Sequence, residues 1–434
     1  MRNRIAKTVS IALALVLMLT GIVGCSAGVS QSEYDEAVAG RDAARAQATK
    51  LESNLAAAQA EAAGLRKDLA AKGEKPTATP TPAPKEEPKP KEEPKPTTVT
   101  ITDAIGREIT ITKPVKRIAF VHHAVAETLK IVGAWDRVIA RDLWTTNEVL
   151  FPGISELPLI TGPGGSFDLN YEKVFEVHPD VFLTVTIPGP GFDDMIAALE
   201  PEIPVVVVLN TQDPKAWVGG AELLGLILDK EEEAEEFITW YEGIEKDIKG
   251  RTAELSNEEK PRVFMKMPGM SPEQLCTWTR EWSCVEHIFE VAGAINIAAD
   301  LPAPGGFVQN VDPEWLLEQN PEVIMAHTWV MYRPNAFGFG VDDPSVAAAI
   351  RGEIMSMDIF AHSNAVANGE VYLIDSDLMS TPRFIVLTAY YAKRFHPDLF
   401  QDLDPQAIHQ EYLTRFMRID YDLSKQGVFA YPEP

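Results

Sequence analysis

Four aromatic residues lie in loops of the second half of the sequence, outside any stretch with the apolar periodicity of a core helix: Trp278, Trp282, Trp329 and Tyr332. Aromatic rings in such loops can stack on a flat or apolar small molecule. A lone tryptophan is more often part of the core or its rim than a ligand contact. Because four of them share these loops, we expect this set to line a ligand-binding cleft.

Polar and cationic residues follow the predicted strands of both halves. In open α/β sheets, ligand contacts come from loops at the carboxyl ends of strands. This rule adds the loop Pro188–Phe192 and the following residues to the candidate site: His122, His123, Trp144, Arg333, Met379 and Arg383. An arginine would pair with the carboxylates or phosphate of a bound chelate. For Arg383, which follows Pro382, an ion pair with a neighbouring acidic side chain is the alternative.

Direct metal binding is a second use of the same strand ends. His122 or His123, His327 and Asp377 all follow or end predicted strands. Neutral imidazoles with a carboxylate suit zinc or manganese. Their spacing matches no recognised metal signature, so this site is the alternative prediction. Haem, with a histidine or tyrosine as axial ligand, is a third alternative.

Composition and motifs argue against two other classes of function. The net charge is −25, and no basic stripe interleaved with aromatic residues is present, which argues against nucleic acid as a partner. The sequence has no Gly-x-Ser-x-Gly elbow, no His-Glu-x-x-His and no phosphate-cradling glycine loop between a strand and a helix. We therefore expect a protein that binds a small molecule and is not an enzyme.

Strand-like and helical patterns alternate from residue 99 to the end, which predicts parallel sheets covered by helices. Asn170–Thr184 and Asp312–Ala326 share a helix-Pro-strand pattern, so we predict two α/β lobes at 99–212 and 257–434. The strands expected in them are Arg117–Val121, Val181–Val185, Pro204–Leu209, Arg262–Met267, Val323–His327 and Val371–Asp375. Between the lobes, 213–256, an apolar face opposite an acidic one predicts a single bridging helix of roughly 50 Å.

The N-terminus has the pattern of an export signal. A basic start precedes the apolar run Val9–Leu19, which is too short to span a membrane as a mature helix. The run leads to Gly24-Cys25, which resembles the lipobox of bacterial lipoproteins. That resemblance implies removal of the signal peptide 1–24 and diacylation of Cys25, which would anchor the protein to the outer face of the cell membrane. An ordinary signal peptide with a chance cysteine is the alternative.

Two further segments separate Cys25 from the first lobe. Residues 25–73 carry a heptad seam made largely of alanine, which predicts a helical stalk, either a single solvated helix or a weak coiled coil. Residues 74–98 are rich in Pro, Lys and Glu and predict an extended linker. A cell-surface scaffold or adhesin would also account for such a stalk, but it would not account for paired lobes.

Cys276 and Cys284 remain when Cys25 carries lipid. A pair of cysteines close in sequence in an exported protein indicates a disulfide, with two free buried thiols as the equal alternative.

Several motifs in this order resemble periplasmic iron-chelate and cobalamin binding proteins: Val99–Lys116 with the strand RIAFV, Glu172 to Asp180, Gly293–Ala298, Asp312–Trp315 and Tyr391–Pro397. The resemblance implies two Rossmann-like lobes bridged by one long helix. It also implies a ferric siderophore, haem or corrinoid as transported ligand, no intrinsic cofactor, and delivery to an ABC importer made of a permease dimer and its ATPase. In that family a glutamate on each lobe pairs with arginines of the permease. The resemblance implies this docking role for Glu172 and Glu314. The alternative is that these two carboxylates only interact favourably with the macrodipoles of their helices.

Overall fold

The computed structural model describes residues 96–163, 168–186, 192–269, 271, 273–329 and 333–433. The predicted signal peptide, Cys25, the stalk and the linker up to residue 95 lie outside this part of the chain, as do Tyr332 and residues 188–191. Within the described residues, no helix combines the length and the apolar character that a membrane crossing requires.

The first lobe begins with an antiparallel hairpin and continues as a parallel sheet of order β4-β3-β5-β6. Val181–Val185 and Val205–Leu209 are buried at every position, because helices cover both faces of this sheet. Its elements are β1 (Thr97–Thr102), β2 (Glu108–Lys113), β3 (Ile118–Phe120), α1 (His123–Ile131), β4 (Val138–Ala140), α2 (Tyr171–Glu176), β5 (Val181–Val185), α3 (Phe192–Leu199) and β6 (Val205–Leu209).

Two helices, not one, follow the first lobe: α4 (Ala216–Leu228) and α5 (Glu231–Thr252). The prediction of one continuous helix over this segment is therefore wrong. Helix α4 ends at Asp229, whose backbone is left-handed (φ 55°) and whose N–H donates to the carbonyl of Gly225. Gly225 has no side chain, and a Cβ there would lie 2.7 Å from the Cβ of Ala234, so α4 and α5 pack too closely for a larger residue.

Helix α5 is the long helix that bridges the lobes. It has 22 residues and so spans roughly 33 Å. It contacts α1 of the first lobe and two helices of the second lobe, whereas α4 packs mainly on the first lobe, against β6 and α1. The predicted architecture is thus confirmed, with a shorter bridge than expected.

The second lobe has a five-stranded sheet of order β13-β12-β11-β7-β9, parallel except for the β12–β13 pair. All six strands predicted for the two lobes are present, each within one residue of its expected bounds. The elements are β7 (Arg262–Lys266), β8 (Thr277–Trp278), α6 (Ser283–Ala292), β9 (Ile295–Asn296), β10 (Phe307–Val308), α7 (Pro313–Gln319), β11 (Val323–Thr328), α8 (Ser345–Ser356), α9 (Asn364–Asn368), β12 (Val371–Asp375), α10 (Phe384–Phe395), α11 (Pro405–Glu411) and β13 (Ala430–Tyr431).

One apolar cluster runs through both lobes. Trp217 on α4 packs against Phe384 on α10, with ring centroids 6.2 Å apart. Phe237 on α5 packs edge-on against Phe416 at 5.3 Å. The two lobes therefore share one buried apolar core.

Candidate functional site

The carboxyl ends of β3 and β12 meet across the boundary between the lobes. His123, the first residue of α1, places its Nε2 atom 3.2 Å from the hydroxyl of Ser380. Ser380 lies in the segment that connects β12 to α10. The structure thus brings the first-lobe histidines together with the second-lobe segment that holds Met379, as the strand-end rule predicts.

His122 is fixed by the backbone around it. It has a left-handed backbone (φ 82°), its N–H donates to Asp142 Oδ2 at 3.1 Å, and its Nδ1 accepts from the N–H of Ala124 at 3.2 Å. Its ring stacks on His123 with centroids 4.3 Å apart. Burial, and secondly repulsion by His123, hold the pKa of His122 well below its usual value, so the ring is neutral and caps α1.

Arg383 forms a buried ion pair with Glu127 of the first lobe, at 2.9 Å between Nη2 and Oε1. Tyr412 completes the cluster by donating to Glu127 Oε2 at 2.7 Å. The arginine is 2% exposed, so its side chain does not reach a ligand surface. The prediction of Arg383 as a ligand contact is corrected: it bridges to an acidic side chain and joins the lobes.

A second carboxyl group lies beside this pair. Asp375 ends β12, and its Oδ1 accepts from the N–H of Asp377 at 3.1 Å. Burial, and secondly the charge of Asp377, raise the pKa of Asp375 to about 8, although Arg383 acts in the opposite direction. Asp375 therefore holds its proton more tightly than an ordinary aspartate does.

Two of the predicted aromatic residues form one group with a third that the sequence did not single out. Trp278 lies 4.3 Å from Trp282 and 4.7 Å from Phe307, between ring centroids. Phe307 lies beside Trp278 because β10 pairs with β8. All three rings are half-buried and pack against the apolar core. Trp329 is also half-buried and packs on the core at the end of β11, while Trp144 is 52% exposed in the first lobe.

A cavity of about 680 Å³ opens at the carboxyl ends of β7 and β11, with Lys266, Ser271, His327, Arg333 and Glu353 in its wall. Arg333 is half-buried, and its Nη2 lies 2.7 Å from Glu353 Oε2. The sequence reasoning included Arg333 but missed Lys266. A lysine inside the otherwise apolar run Val263–Met267 was the signal that could have identified it.

The alternative metal site does not assemble. His327 is buried, and its Nε2 lies 2.6 Å from the hydroxyl of Tyr391. Burial lowers the pKa of His327 to about 3. His122 and Asp377 do not join it, and the described residues contain no group of three His, Cys, Asp or Glu side chains placed to hold a metal ion.

Cys276 and Cys284 are both free, which excludes the disulfide alternative in this structure. Their thiols donate to different backbone carbonyls, Cys276 to Gln309 at 3.1 Å and Cys284 to Thr211 at 3.2 Å. Thr211 follows β6 of the first lobe. The Cys284 contact therefore crosses the boundary between the lobes, two residues beyond Trp282.

Glu172 and Glu314 occupy equivalent, exposed places in the two lobes. Each lies in the first turn of a short helix, α2 or α7, that is capped by the side chain of Asn170 or Asp312. Each helix leads by a tight turn into the next parallel strand. Both glutamates therefore lie on the same side of their sheets as the carboxyl strand ends.

Comparison with known proteins agrees with this architecture. A family model described as "Periplasmic binding protein" matches residues 118–378. YvrC of Bacillus subtilis, described as an uncharacterized ABC transporter substrate-binding lipoprotein, is 26% identical over 307 residues, 70% of this chain and 87% of YvrC.

Two solved structures share the fold. The TroA-like periplasmic binding protein FepB of Veillonella parvula has a TM-score of 0.64 at 22% identity and covers 77% of this chain and 100% of FepB. The molybdate periplasmic binding protein MolA of Haemophilus influenzae, solved with molybdate bound, has a TM-score of 0.58 at 20% identity and covers 75% of this chain and 99% of MolA. The family match runs from β3 to the turn after β12, through both sheets and the bridging helix. The chain belongs to the periplasmic binding protein family, the substrate-binding proteins of ABC transporters, which are not enzymes.

Proposed function

We propose that this protein is a lipid-anchored extracytoplasmic binder of a metal chelate, such as a ferric siderophore, haem or a corrinoid, which it delivers to an ABC importer. Substrate-binding proteins of this family work with a permease and an ATPase. The ligand would occupy the cleft at the carboxyl ends of the strands, between the lobes.

The observation that carries the choice of ligand is the aromatic group Trp278, Trp282 and Phe307. It is half-buried, and Cys284 next to it contacts Thr211 of the first lobe, so the rings lie beside the boundary between the lobes. A flat or apolar chelate can stack on such rings. His122, His123, Trp144, Trp329 and Met379 are the further candidate contacts, and Arg333 would pair with acidic groups of the chelate.

Tryptophan fluorescence of the mature protein tests this proposal. We would titrate it with ferric siderophores, haemin, cobalamin, molybdate, Zn²⁺ and Mn²⁺. Saturable quenching by a metal chelate is expected, and Trp282→Leu should weaken the affinity while Trp315→Leu, on α7, should not. Quenching by bare metal ions alone, or unchanged affinity after replacement of Trp278, Trp282 and Trp329 together, would contradict the proposal.

A molybdate-like oxyanion is the second candidate ligand. The relative named molybdate-binding protein MolA is 24% identical to this chain over 349 residues. Molybdate is therefore part of the titration, and a response to molybdate without a response to any chelate would favour this second candidate.

The lipid anchor is proposed at Cys25, on the lipobox-like sequence and on the description of YvrC as a lipoprotein. Cys25→Ser should move the protein from the membrane fraction to the soluble fraction. A variant that remains with the membrane would contradict the anchor.

A further inference from the structure

Lys266 is the last residue of β7, and it lies in the wall of the 680 Å³ cavity. It is 5% exposed. Its ammonium donates to the backbone carbonyl of Gln274 at 3.2 Å, and among the described residues no ion pair joins it to a carboxylate. Burial lowers the pKa of Lys266, because the charged form is poorly solvated at this position.

An unpaired ammonium at such a position is costly. Burying a charge without a counter-charge costs several kcal/mol in proteins, on the order of the stability of a whole domain. The other buried positions of β7 are apolar, namely Val263, Phe264 and Met265. A methionine in place of Lys266 could fill the same volume without this cost. The carboxylate of Glu273 in the same wall attracts the ammonium, but it is exposed and forms no ion pair with Lys266, so the site leaves room for a closer anionic partner.

In the part of the cavity wall that the structure describes, the other charged groups are one cation, Arg333, and two carboxylates, Glu273 and Glu353. Arg333 is close enough to Lys266 to lower its pKa by repulsion, which an anion placed between the two cations would relieve. Glu353 already pairs with Arg333. His327 is neutral, and its Nδ1 has no hydrogen-bond partner among the described residues. Ser271 and Ser356 add hydroxyl groups to the wall.

We infer that this cavity binds an anionic oxygen group, a carboxylate or a tetrahedral oxyanion, through the ammonium of Lys266 with Arg333 beside it. The inference rests on the proposed function only in taking this group to be part of the transported ligand. A volume of about 680 Å³ lies within the range of small-molecule sites, so the cavity has room for more than a single ion.

Calorimetric titration of the mature protein at low ionic strength tests the inference. The probes are phosphate, sulfate, molybdate, citrate and ferric citrate, with wild type compared with Lys266→Met, Lys266→Arg and the control Lys249→Met, an exposed lysine on α5. At least one anion should bind wild type. A charge-assisted hydrogen bond contributes about 1.5–3 kcal/mol, so Lys266→Met should weaken binding roughly 10- to 100-fold. Lys266→Arg should retain more affinity than Lys266→Met, and Lys249→Met should leave it unchanged.

The two sources of the anionic group give different patterns. Preference for citrate and ferric citrate assigns the cavity to carboxylates on a chelate, and preference for molybdate, phosphate or sulfate assigns it to a free oxyanion. Binding of none of the five probes to wild type overturns the inference. So does equal binding to wild type and Lys266→Met.

Thermal unfolding without anions separates binding from a structural role. Since Lys266→Met removes a buried charge that forms no ion pair, its melting temperature should equal or exceed that of wild type. A clearly lower melting temperature, with Lys266→Arg binding anions no better than Lys266→Met, would assign Lys266 to holding the Gln274 loop and overturn the inference.

The anion site and the proposed function can fail separately. If oxyanions bind through Lys266 but no chelate quenches tryptophan fluorescence, the chelate proposal fails and the anion site stands. If a chelate quenches the fluorescence but no anion binds through Lys266, the anion site fails and the chelate proposal stands.

Discussion

Arg383 Nη2 and Glu127 Oε1 lie 2.9 Å apart although they belong to different lobes. Both side chains are almost fully buried, and Tyr412 donates a further hydrogen bond to Glu127. Glu127 lies four residues after His123 on α1, and Arg383 lies three residues after Ser380, so the pair adjoins the His123–Ser380 contact. It therefore holds the two halves of the candidate cleft in register.

Removing one member of this pair should destabilise the protein strongly. Arg383→Met or Glu127→Leu leaves a buried charge without its partner, which costs about 3–5 kcal/mol in comparable proteins. The free energy of unfolding in urea measures the effect. The double variant Glu127→Leu/Arg383→Met should lose much less than the sum of the two single variants, because no unpaired charge remains. Additive losses would show that the two side chains are not coupled.

Stability should depend on pH through Asp375. The pKa of this carboxyl is raised to about 8 in the folded protein, so the folded state holds its proton more tightly than the unfolded state does. Its contribution is fully present below about pH 4, the pKa of an unfolded aspartate, and it is lost as the pH rises towards 8. The melting temperature of wild type should fall relative to that of Asp375→Asn across this window. Parallel curves for the two proteins would contradict this assignment.

Two thiols should be measurable in a denatured Cys25→Ser chain without any reductant, since Cys276 and Cys284 are free. In the native protein both should react slowly with a thiol reagent at pH 8. Burial raises the pKa of Cys276, and it raises the pKa of Cys284 to about 12, so little thiolate is present. Thiols that appear only after reduction would show that the chain forms the disulfide in its native compartment.

Glu172 and Glu314 should be needed for uptake but not for ligand binding, if they dock the permease. Glu172→Arg and Glu314→Arg reverse an exposed charge on each lobe and should lower ligand uptake by cells on the order of 10-fold or more, since like charges at an interface cost several kcal/mol. Glu176→Arg and Glu318→Arg are matched controls on the same two helices. Equal uptake by docking and control variants would leave the glutamates with a helix-dipole role only.

The sheets of this protein could be predicted from the sequence because their strands are continuous apolar runs. Val181–Val185 and Val205–Leu209 are such runs, and both are buried strands. The break between α4 and α5 could not be predicted in this way. It depends on the left-handed backbone of Asp229 and on the close contact of Gly225 with Ala234, and neither changes the apolar periodicity.

The sequence predicted which strand ends contribute residues to the candidate site. It did not predict which side chains of those residues point into the cavity. His327 and Lys266 lie at or next to the ends of predicted strands, yet only Lys266 supplies a charge to the cavity, while the neutral His327 bonds to Tyr391. The partner of Arg383 lies 256 residues away in the sequence, beyond any local pattern. Such pairings depend on how the two lobes pack.

The apolar cluster that includes the contact between Trp217 and Phe384 couples the folding of the two lobes. Neither lobe can lose its structure without exposing apolar surface of the other to water. Heating should therefore give one cooperative calorimetric transition, where two independently stable lobes would give two. A protease outside the cell would then meet this part of the chain either intact or wholly unfolded, and half-folded fragments with a single intact lobe should not accumulate.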